Sequence, residues 1–344
     1  MPGASSCSSS AATGRLALVL AACSLALVAG CSNGPAGAAR VEGGAAGQAT
    51  GQATGQATGQ AQAARSGGTT PTPGAPTRGS TSPPSPGVTP RPESAQPFTV
   101  ASFNTLGAAH TGRHGNKPWM ASGAVRTLRM ARVLRRHAVD VVGLQEFEAP
   151  QAAVFRRHAA AYAFWHPPGR SANTIAWRRD RFVLVRATTE RVHYFEGRVQ
   201  PMPVVLLRDL RPPGVELWVL NVHNPAGTRQ HPRQQHWRTV DMAAERAVVR
   251  RLLATGHPVL LTGDMNEKAE AFCAFTSNGP LHAAAGASQG HGHCRPPANV
   301  RIDWIFGSAR VRFADYRVDR SPLVRRTTDH SVVLARARVV SPGS

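Results

Sequence analysis

The stretch 260–270 reads LLTGDMNEKAE, an apolar run that stops at Asp264 and Asn266. Residues i and i+2 of a β-strand lie on the same face. If the strand continues that far, the Asp264 carboxylate and the Asn266 amide share one face at its carboxyl end, and Met265 points back into the protein. Ligands of layered α/β folds are usually held at that end. The stretch therefore predicts a buried strand that brings two polar groups to a site.

Apolar runs of this kind recur through residues 97–344 and outnumber the helical patterns. Helical spacing predicts two helices, at 119–137 and at about 230–254. Strand patterns occur at 98–106, 139–146, 173–180, 181–188, 203–210, 215–224, 258–266, 301–307, 311–318 and 330–339. Because the helices lie between groups of strands, we expect a mixed α/β domain of stacked layers rather than a doubly wound fold. No G-x-G-x-x-G opens a helix and no Walker A motif occurs, which argues against nucleotide-cofactor enzymes.

Side-chain patterns predict which parts of these elements are buried. The apolar face of the first helix is predicted to consist of Met120, Ala124, Leu128, Ala131 and Leu134. Segments 112–120 and 163–170 are predicted to be loops at the rim of a site. Their arginines, Arg113 and Arg170, are candidates for pairing with phosphate. Their tryptophans, Trp119 and Trp165, are candidates for stacking on bases, although packing in the core is the preferred interpretation of both.

The amino terminus has the pattern of an export signal. Residues 1–15 carry a single cation, Arg15, and residues 16–30 are apolar except for one serine. This is a basic region followed by a hydrophobic run too short to span a membrane comfortably. The run ends in VAGC, which resembles the bacterial lipobox and predicts lipidation at Cys31. An earlier LAAC, ending at Cys23, would leave a very short hydrophobic region. We therefore expect residues 1–31 to be a lipoprotein-type signal peptide.

Residues 32–96 have the composition of a linker. They contain the repeat GQATGQATGQATGQAQ at 47–62, followed by a stretch rich in Pro, Thr, Ser and Gly. Such a composition has too few apolar residues to repay the entropy of ordering, so a disordered tether is expected. The folded domain is predicted to begin at residue 97 and to extend to residue 344. Export to the cell surface, with a lipid anchor as the only membrane contact, or secretion, is the expected location.

Cysteine usage and charge both bear on the folded domain. Outside the amino-terminal segment only Cys273 and Cys294 remain, and in an exported protein an even pair predicts one disulfide. HGHC at 291–294 lacks a second ligand pair at zinc spacing. Residues 1–96 hold five Arg and two Glu, a net +3, so the domain carries +18 of the formal +21. A charge of that size favours polyanionic partners such as nucleic acid, anionic lipid or phosphorylated polymers.

Polar residues of the kind that handle metal or phosphate end or follow one predicted strand after another. Burying several acids without a cation or a hydrogen-bond network is costly, which indicates that they form one site. They are Asn104, Gln145, Glu146, Asn221, His223, Asn224, Asp264, Asn266, Asp303, Asp329 and His330.

In this order the motifs SFN, LQE, NVHN, GDMN, IDWIF and TDH resemble those of the endonuclease/exonuclease/phosphatase superfamily over nearly all of residues 98–340. The resemblance implies a deoxyribonuclease I-like fold. That fold is a four-layer α/β sandwich in which two mixed β-sheets are packed between helices. It also implies hydrolysis of a phosphoester by water, assisted by a divalent metal.

Site roles follow from the same resemblance. Glu146 matches the principal metal ligand, supported by Asn104, which also faces the scissile phosphate, and Asp329 joins this metal set. Oxygen ligands of this type suit Mg²⁺ or Mn²⁺. Asp264 and Asn266 match the pair that orients the attacking water.

Three further assignments concern acid–base groups. His223 matches a histidine that binds a non-bridging oxygen or assists the leaving group. His330 is expected to pair with Asp329, whose carboxylate would fix the imidazole tautomer. Asp303 is expected to buttress His223. The family's common Asn-Thr-His-Leu is NVHNP here, so Asn224, a candidate phosphate-binding residue, changes the loop that would face the substrate.

The leading hypothesis is an exported phosphodiesterase or nuclease that acts as a monomer on nucleic acid. A phosphatase or a phospholipase C-like enzyme acting on phospholipid headgroups or small phosphate esters is the alternative. A non-catalytic surface binding protein is disfavoured, because every catalytic residue type is present. The general base is left open between the candidate groups.

Overall fold

The computed structural model describes residues 95–169, 171–289 and 294–341. Its strands are β1 (Phe98–Asn104), β2 (Val141–Gln145), β3 (Tyr162–Trp165), β4 (Thr174–Arg178), β5 (Phe182–His193), β6 (Val199–Asp209), β7 (Glu216–His223), β8 (Val259–Asp264), β9 (Leu281–Ala283), β10 (Asp303–Ser308), β11 (Val311–Asp319) and β12 (Val332–Val339). Its α-helices are α1 (Gly123–Arg136), α2 (Ala149–His158), α3 (Gln235–Leu253), α4 (Ala269–Phe275) and α5 (Pro322–Arg325). The predicted signal peptide and nearly all of the predicted linker lie outside the described residues.

The described strands form two six-stranded sheets. The first has the order β11-β12-β1-β2-β4-β3 and the second the order β5-β6-β7-β8-β10-β9. Each sheet contains one parallel pair, β1 with β2 and β7 with β8, and its other pairs are antiparallel. The strands of these two parallel pairs are β1, β2, β7 and β8. Most of the polar residues singled out in the sequence lie at or just after the carboxyl ends of these strands.

Three apolar clusters define four layers. One cluster fills the space between the sheets and includes Val100, Ile175, Val219 and Leu260. A second packs α1, α2 and α5 on the outer face of the first sheet. A third packs α3 and α4 on the outer face of the second sheet. The predicted sandwich of two mixed sheets between helices is confirmed.

A polar layer also lies between the sheets. Gln145 donates to the Ser102 hydroxyl at 3.1 Å and to the Asn221 side-chain oxygen at 2.6 Å. The same oxygen accepts from the Thr262 hydroxyl at 3.1 Å. A Cβ at Gly143 would lie 2.0 Å from that hydroxyl oxygen, so the close approach of the sheets requires glycine there. Gln145 and Asn221, which sequence patterns group with the site, therefore join the sheets beneath it.

The first helix begins four residues later than its pattern predicts and buries only part of the predicted apolar face. The Ser122 hydroxyl accepts from the Val125 amide and caps the helix. The buried side is formed by Arg126, Thr127, Met130, Ala131, Val133 and Leu134. Ala124 is exposed and Leu128 is 38% exposed, so the predicted apolar face is wrong for both residues.

The two predicted rim loops have different outcomes. The prediction of a loop at 163–170 is wrong for its first three residues, because the chain up to Trp165 forms β3, which pairs with β4. Trp165 packs against the core between the sheets, as preferred. Trp119 does not pack, since it is 76% exposed. The helix it was expected to open starts only at Gly123.

Cys273 on α4 and Cys294 form a disulfide, with Cα atoms 5.8 Å apart. His291 and His293 lie outside the described residues. Among the helices that the structure describes, none combines the length and the apolar character needed to cross a bilayer.

Candidate phosphoester site

Glu146 follows β2 directly, in a left-handed backbone conformation with φ of 54°. Such a conformation is costly for a non-glycine residue and often marks a functional position. The carboxylate accepts from Asn104 Nδ2 at 2.9 Å and from the Gly107 amide at 2.9 Å, and it lies 3.2 Å from His110 Nε2. Although burial raises the pKa of the Glu146 carboxyl, these hydrogen bonds and the His223 charge hold that pKa well below its usual range. Glu146 is therefore an ionised, oriented carboxylate.

Asp264 ends β8 and is buried. Its Oδ2 accepts from Asn104 Nδ2 at 3.0 Å, so the one Asn104 amide links Asp264 to Glu146. The same Oδ2 lies 3.6 Å from His223 Nε2 and 3.7 Å from His330 Nε2. One carboxylate thus stands between two imidazoles and beside a second carboxylate.

Strand register explains this arrangement. His223 is paired with Asp264 across the parallel β7–β8 pair, and Asp264 is paired with Asp303 across the antiparallel β8–β10 pair. Three neighbouring strands therefore present a histidine and two acids side by side at one edge.

His330 pairs with Asp303 and not with Asp329. His330 Nδ1 lies 3.1 Å from both Asp303 oxygens, whereas Asp329 forms an ion pair with Lys117. The predicted pairing of His330 with Asp329 is wrong, as is that of Asp303 with His223. The reason is that β10 carries Asp303 to the segment before β12, while the Asp329 carboxylate reaches Lys117.

The Asp303–His330 pair is charged at neutral pH. Burial lowers the pKa of His330, but the charges of Asp303, Asp264 and Asp329 and the hydrogen bond with Asp303 raise it to about 10. Burial raises the pKa of Asp303 to about 6, against the opposing effect of His330. Around pH 7 the Nε2–H of a cationic His330 therefore faces the Asp264 side of the site.

The two asparagines assigned to the site differ in what they can do. Strand β8 ends at Asp264, and Asn266 lies beyond it with φ of 49°. Its amide N–H donates to Asp264 Oδ1 at 3.0 Å, and its side chain donates to the Asn224 carbonyl at 2.8 Å. The Asn224 side chain is fully buried and points toward Glu245. Assigning Asn224 to phosphate binding is therefore wrong for its side chain.

The other predicted residues take no part in the contacts described above. Arg113 is exposed and, within the part of the chain described, makes no hydrogen bond or ion pair. Arg170 and Cys31 lie outside the described residues.

The donors present fit a divalent cation. Asp264, Asp303 and His330 each offer one ligand atom, and these atoms lie within 4.8 Å of one another. The Glu146 carboxylate is linked to this group through Asn104. Carboxylate oxygens are the ligands that Mg²⁺ or Mn²⁺ prefers. His330 is cationic around pH 7 and then has no lone pair for a metal, so the carboxylates are the available ligands.

Two predicted metal ligands have other partners in this structure. Asn104 turns its amide nitrogen toward the carboxylates, and its Oδ1 accepts from the Leu106 amide at 3.0 Å. Asn104 therefore orients Glu146 and Asp264 through its side-chain nitrogen and offers no oxygen as a metal ligand. Asp329 is engaged by Lys117.

Two functional residues were not predicted. His110 contacts Glu146 through Nε2 and Asn116 Oδ1 through Nδ1 at 2.9 Å. Arg126 is fully buried and donates to the carbonyls of Thr105, Leu106 and Gly107, which shape the loop after β1. A histidine soon after the first strand motif was an available signal for His110. Arg126 had none, because its helix carries several arginines.

Comparisons with known proteins agree with this geometry. The model of the family described as "Endonuclease/Exonuclease/phosphatase family" matches residues 101–330. No curated protein matches the chain.

Several solved structures share the fold. An endonuclease/exonuclease/phosphatase family protein from Bacteroides thetaiotaomicron is 19% identical with a TM-score of 0.54, covering 72% of this chain and 99% of that one. The human Nocturnin catalytic domain with bound sulfate is 16% identical with a TM-score of 0.52, covering 70% and 94%. Humanized D. rerio TDP2 is 16% identical with a TM-score of 0.50, covering 70% and 98%. At these identities the likeness concerns the fold alone.

Proposed function

This chain belongs to the endonuclease/exonuclease/phosphatase family, whose members are phosphoester hydrolases, and on that premise we propose that it is a divalent-metal-dependent phosphodiesterase acting on nucleic acid. One observation carries the proposal. The Asp264 carboxylate lies between His223 and His330 and is linked by Asn104 to Glu146. Hydrolysis of a phosphodiester needs a positioned water, groups that neutralise the phosphoryl oxygens, and a proton donor for the leaving oxygen.

Asp264 is suited to hold the attacking water. Its Oδ1 is fixed by the Asn266 amide and its Oδ2 by Asn104, so the carboxylate cannot turn freely. In this proposal it accepts a hydrogen bond from the water and then its proton. The fixed carboxylate aligns the water with phosphorus before reaction.

The two histidines serve the phosphoryl group and the leaving oxygen. Cationic His330, held by Asp303, donates from Nε2 to a non-bridging oxygen. His223 lies on the other side of Asp264 and is placed to assist the departing oxygen. Glu146 would hold the divalent cation, which when bound neutralises phosphoryl charge.

Charge supports nucleic acid as the substrate. The folded domain carries +18 of the formal +21 charges. A polyanion is attracted by such a charge over long distances, and the attraction falls with salt.

The test is cleavage of supercoiled plasmid by the full-length protein, with Mg²⁺ and with chelator. Asp264→Asn keeps the shape of the side chain and removes its charge, so we expect nicking to fall about a thousandfold. Arg157→Ala, an exposed change on α2, is the control and should retain activity.

Nicking that persists in chelator or in Asp264→Asn would contradict the proposal. Absence of cleavage by the folded parent protein, of the plasmid and of a single-stranded oligonucleotide alike, would favour the alternative. Phospholipid headgroups and small phosphate esters would then be the substrates to assay.

We further propose that the enzyme acts outside the cytoplasm as a lipid-anchored or secreted monomer. The apolar run at 16–30 followed by Cys31 supports export. The Cys273–Cys294 disulfide is consistent with an oxidising compartment.

A further inference from the structure

A cavity of about 1140 Å³ opens beside His330 and Asp303. Five arginines and one tryptophan contribute to its wall, and we call this surface the arginine groove. Its members are Trp119, Arg129, Arg301, Arg320, Arg325 and Arg326. The groove is continuous with the proposed reaction centre, because His330 belongs to both.

The groove arginines lack acidic partners. Among the described residues, none of the five guanidinium groups lies within 4.0 Å of a carboxylate oxygen. The two acids in the wall are already engaged, Asp303 by His330 and Asp329 by Lys117. The groove therefore presents uncompensated positive charge next to the place where a phosphoryl group would react.

Backbone and hydroxyl contacts hold part of this surface in place. Arg129 donates to the Arg326 carbonyl at 2.6 Å, and Arg320 donates to the Ser331 hydroxyl at 3.2 Å. Arg301 and Arg326 are exposed, and their side chains make no hydrogen bond within the described part of the chain. These two arginines are available to a ligand without breaking any contact of the fold.

Trp119 adds an aromatic face to the same wall. Its side chain is 76% exposed, although burial of such a ring is favourable. A tryptophan exposed beside cations is the combination on which single-stranded nucleic acids dock, with bases stacked on the ring and phosphates on the arginines.

We propose that the arginine groove binds single-stranded nucleic acid on one side of the phosphodiester that is cleaved, with a base stacked on Trp119. The inference rests on the proposed function and names the form of its substrate. Five arginines exceed what a single phosphoryl group can engage, whereas a strand brings one phosphate per nucleotide. A base must leave its helical stack to lie on Trp119, which favours a single strand over a duplex.

The experiment measures binding separately from cleavage. Fluorescence anisotropy of a labelled 20-nucleotide oligothymidine is followed with the full-length protein in chelator, at a series of salt concentrations. The variants are Arg301→Ala/Arg326→Ala and Trp119→Ala. Arg157→Ala/Arg250→Ala removes the same charge from exposed positions of α2 and α3 outside the groove and is the matched control.

Each variant has its own expected signature. Removing Arg301 and Arg326 should weaken binding at least about tenfold and lower the slope of log K against log salt by about 1.4, since each phosphate contact on a single strand contributes about 0.7. Trp119→Ala should weaken binding about tenfold with the slope unchanged, because stacking releases no counterions. It should also remove the tryptophan quenching that accompanies binding. The control pair should bind like the parent.

Several results would overturn the inference. One is an equal loss of affinity in the groove variant and in the control variant, which would mean that binding depends on the overall positive charge and not on the groove. Another is failure of the oligothymidine to bind. A third is binding of phosphatidylglycerol vesicles in place of the oligothymidine, lost in Arg301→Ala/Arg326→Ala, which would make the groove a membrane surface.

The proposed function is read separately, from metal-dependent hydrolysis of bis(p-nitrophenyl) phosphate by the parent protein. Hydrolysis without oligothymidine binding would refute the groove alone. Binding without any hydrolysis would refute the proposed function.

Discussion

Two glutamates, one half-buried and one fully buried, show how strongly position governs a single residue type. Glu146 is half-buried and surrounded by donors, among them His110 and the Gly107 amide, so it is ionised. Glu245 on α3 has one long contact, 3.5 Å from Asn224 Nδ2, and its Oε1 has no partner among the described residues. Burial and the nearby Asp241 raise the pKa of Glu245 to about 8. Glu146 is therefore a carboxylate anion, whereas Glu245 is protonated and neutral at pH 7.

Glu245 should make stability depend on pH. The folded protein keeps this proton up to about pH 8, whereas the unfolded chain releases it near the ordinary value of 4.5. The unfolded state therefore binds fewer protons between these pH values, and the free energy of unfolding falls as pH rises, by roughly 1.4 kcal/mol per pH unit from this group. Glu245→Gln cannot ionise, so its urea-unfolding free energy should decline less from pH 5 to pH 8.

Asp241, whose pKa is raised by burial to about 6, is present in both proteins and adds the same decline to each up to about pH 6. Asp315→Asn, at an exposed position that makes no ion pair among the described residues, is the control and should decline like the parent. Parallel pH curves for the parent and Glu245→Gln would show that Glu245 is ionised in the fold.

At the scale of elements, α1 has a structural task beyond covering the first sheet. Arg126 reaches from its first turn to three consecutive carbonyls of the loop after β1, at 2.6 to 3.0 Å, and to the Thr327 carbonyl at 3.3 Å. It therefore joins the loop that supplies the Gly107 amide to Glu146 with the segment that precedes His330. The helix positions both sides of the site through one side chain.

Replacing Arg126 should loosen that loop. Arg126→Met fills a similar space but leaves several buried carbonyls without donors, so we expect a loss of roughly 2–4 kcal/mol in the free energy of unfolding. Amide hydrogen exchange at 105–107 should rise in the variant. Arg132→Met, an exposed change on the same helix, should alter neither quantity. If exchange at 105–107 stays at the parent's rate, Arg126 does not hold the loop.

At the scale of the whole molecule, the site exists because two sheets meet. Asn104 and Glu146 come from the first sheet, and His223, Asp264 and Asp303 come from the second. The polar layer of Ser102, Gln145, Asn221 and Thr262 joins the sheets beneath them, and Asn104 joins them at the surface of the site.

The amino-terminal segment gives a prediction about the complete chain. Lipidation at Cys31 predicts that the full-length protein, expressed in a bacterial host that processes lipoproteins, incorporates labelled palmitate. Cys31→Ser should abolish the label, and Cys23→Ser should retain it. Loss of label only in Cys23→Ser would move the site to the earlier cysteine, and labelling of neither parent nor variants would exclude the lipid anchor.

Local patterns were sufficient for the architecture. Alternating and continuous apolar runs depend on neighbouring residues, so strands such as β1, β7 and β8 and the long helix α3 were predicted close to their observed bounds. Short elements failed, because β3 and α4, of four and seven residues, are too brief to show a period. The buried face of α1 failed too, since an arginine occupies part of it and periodicity counts arginine as exposed.

The position of polar residues at strand ends was enough to name candidates for the site, and the resemblance of the ordered motifs to the family supplied their chemistry. Which residues touch was decided only by the tertiary structure. Asp303 reaches His330 and Asp329 reaches Lys117 because strand register and loop path set distances between residues far apart in sequence. Asn224 is turned inward for the same reason. Which residue types stand at the strand ends is a local property of the chain, whereas which side chains contact each other depends on how distant strands are aligned.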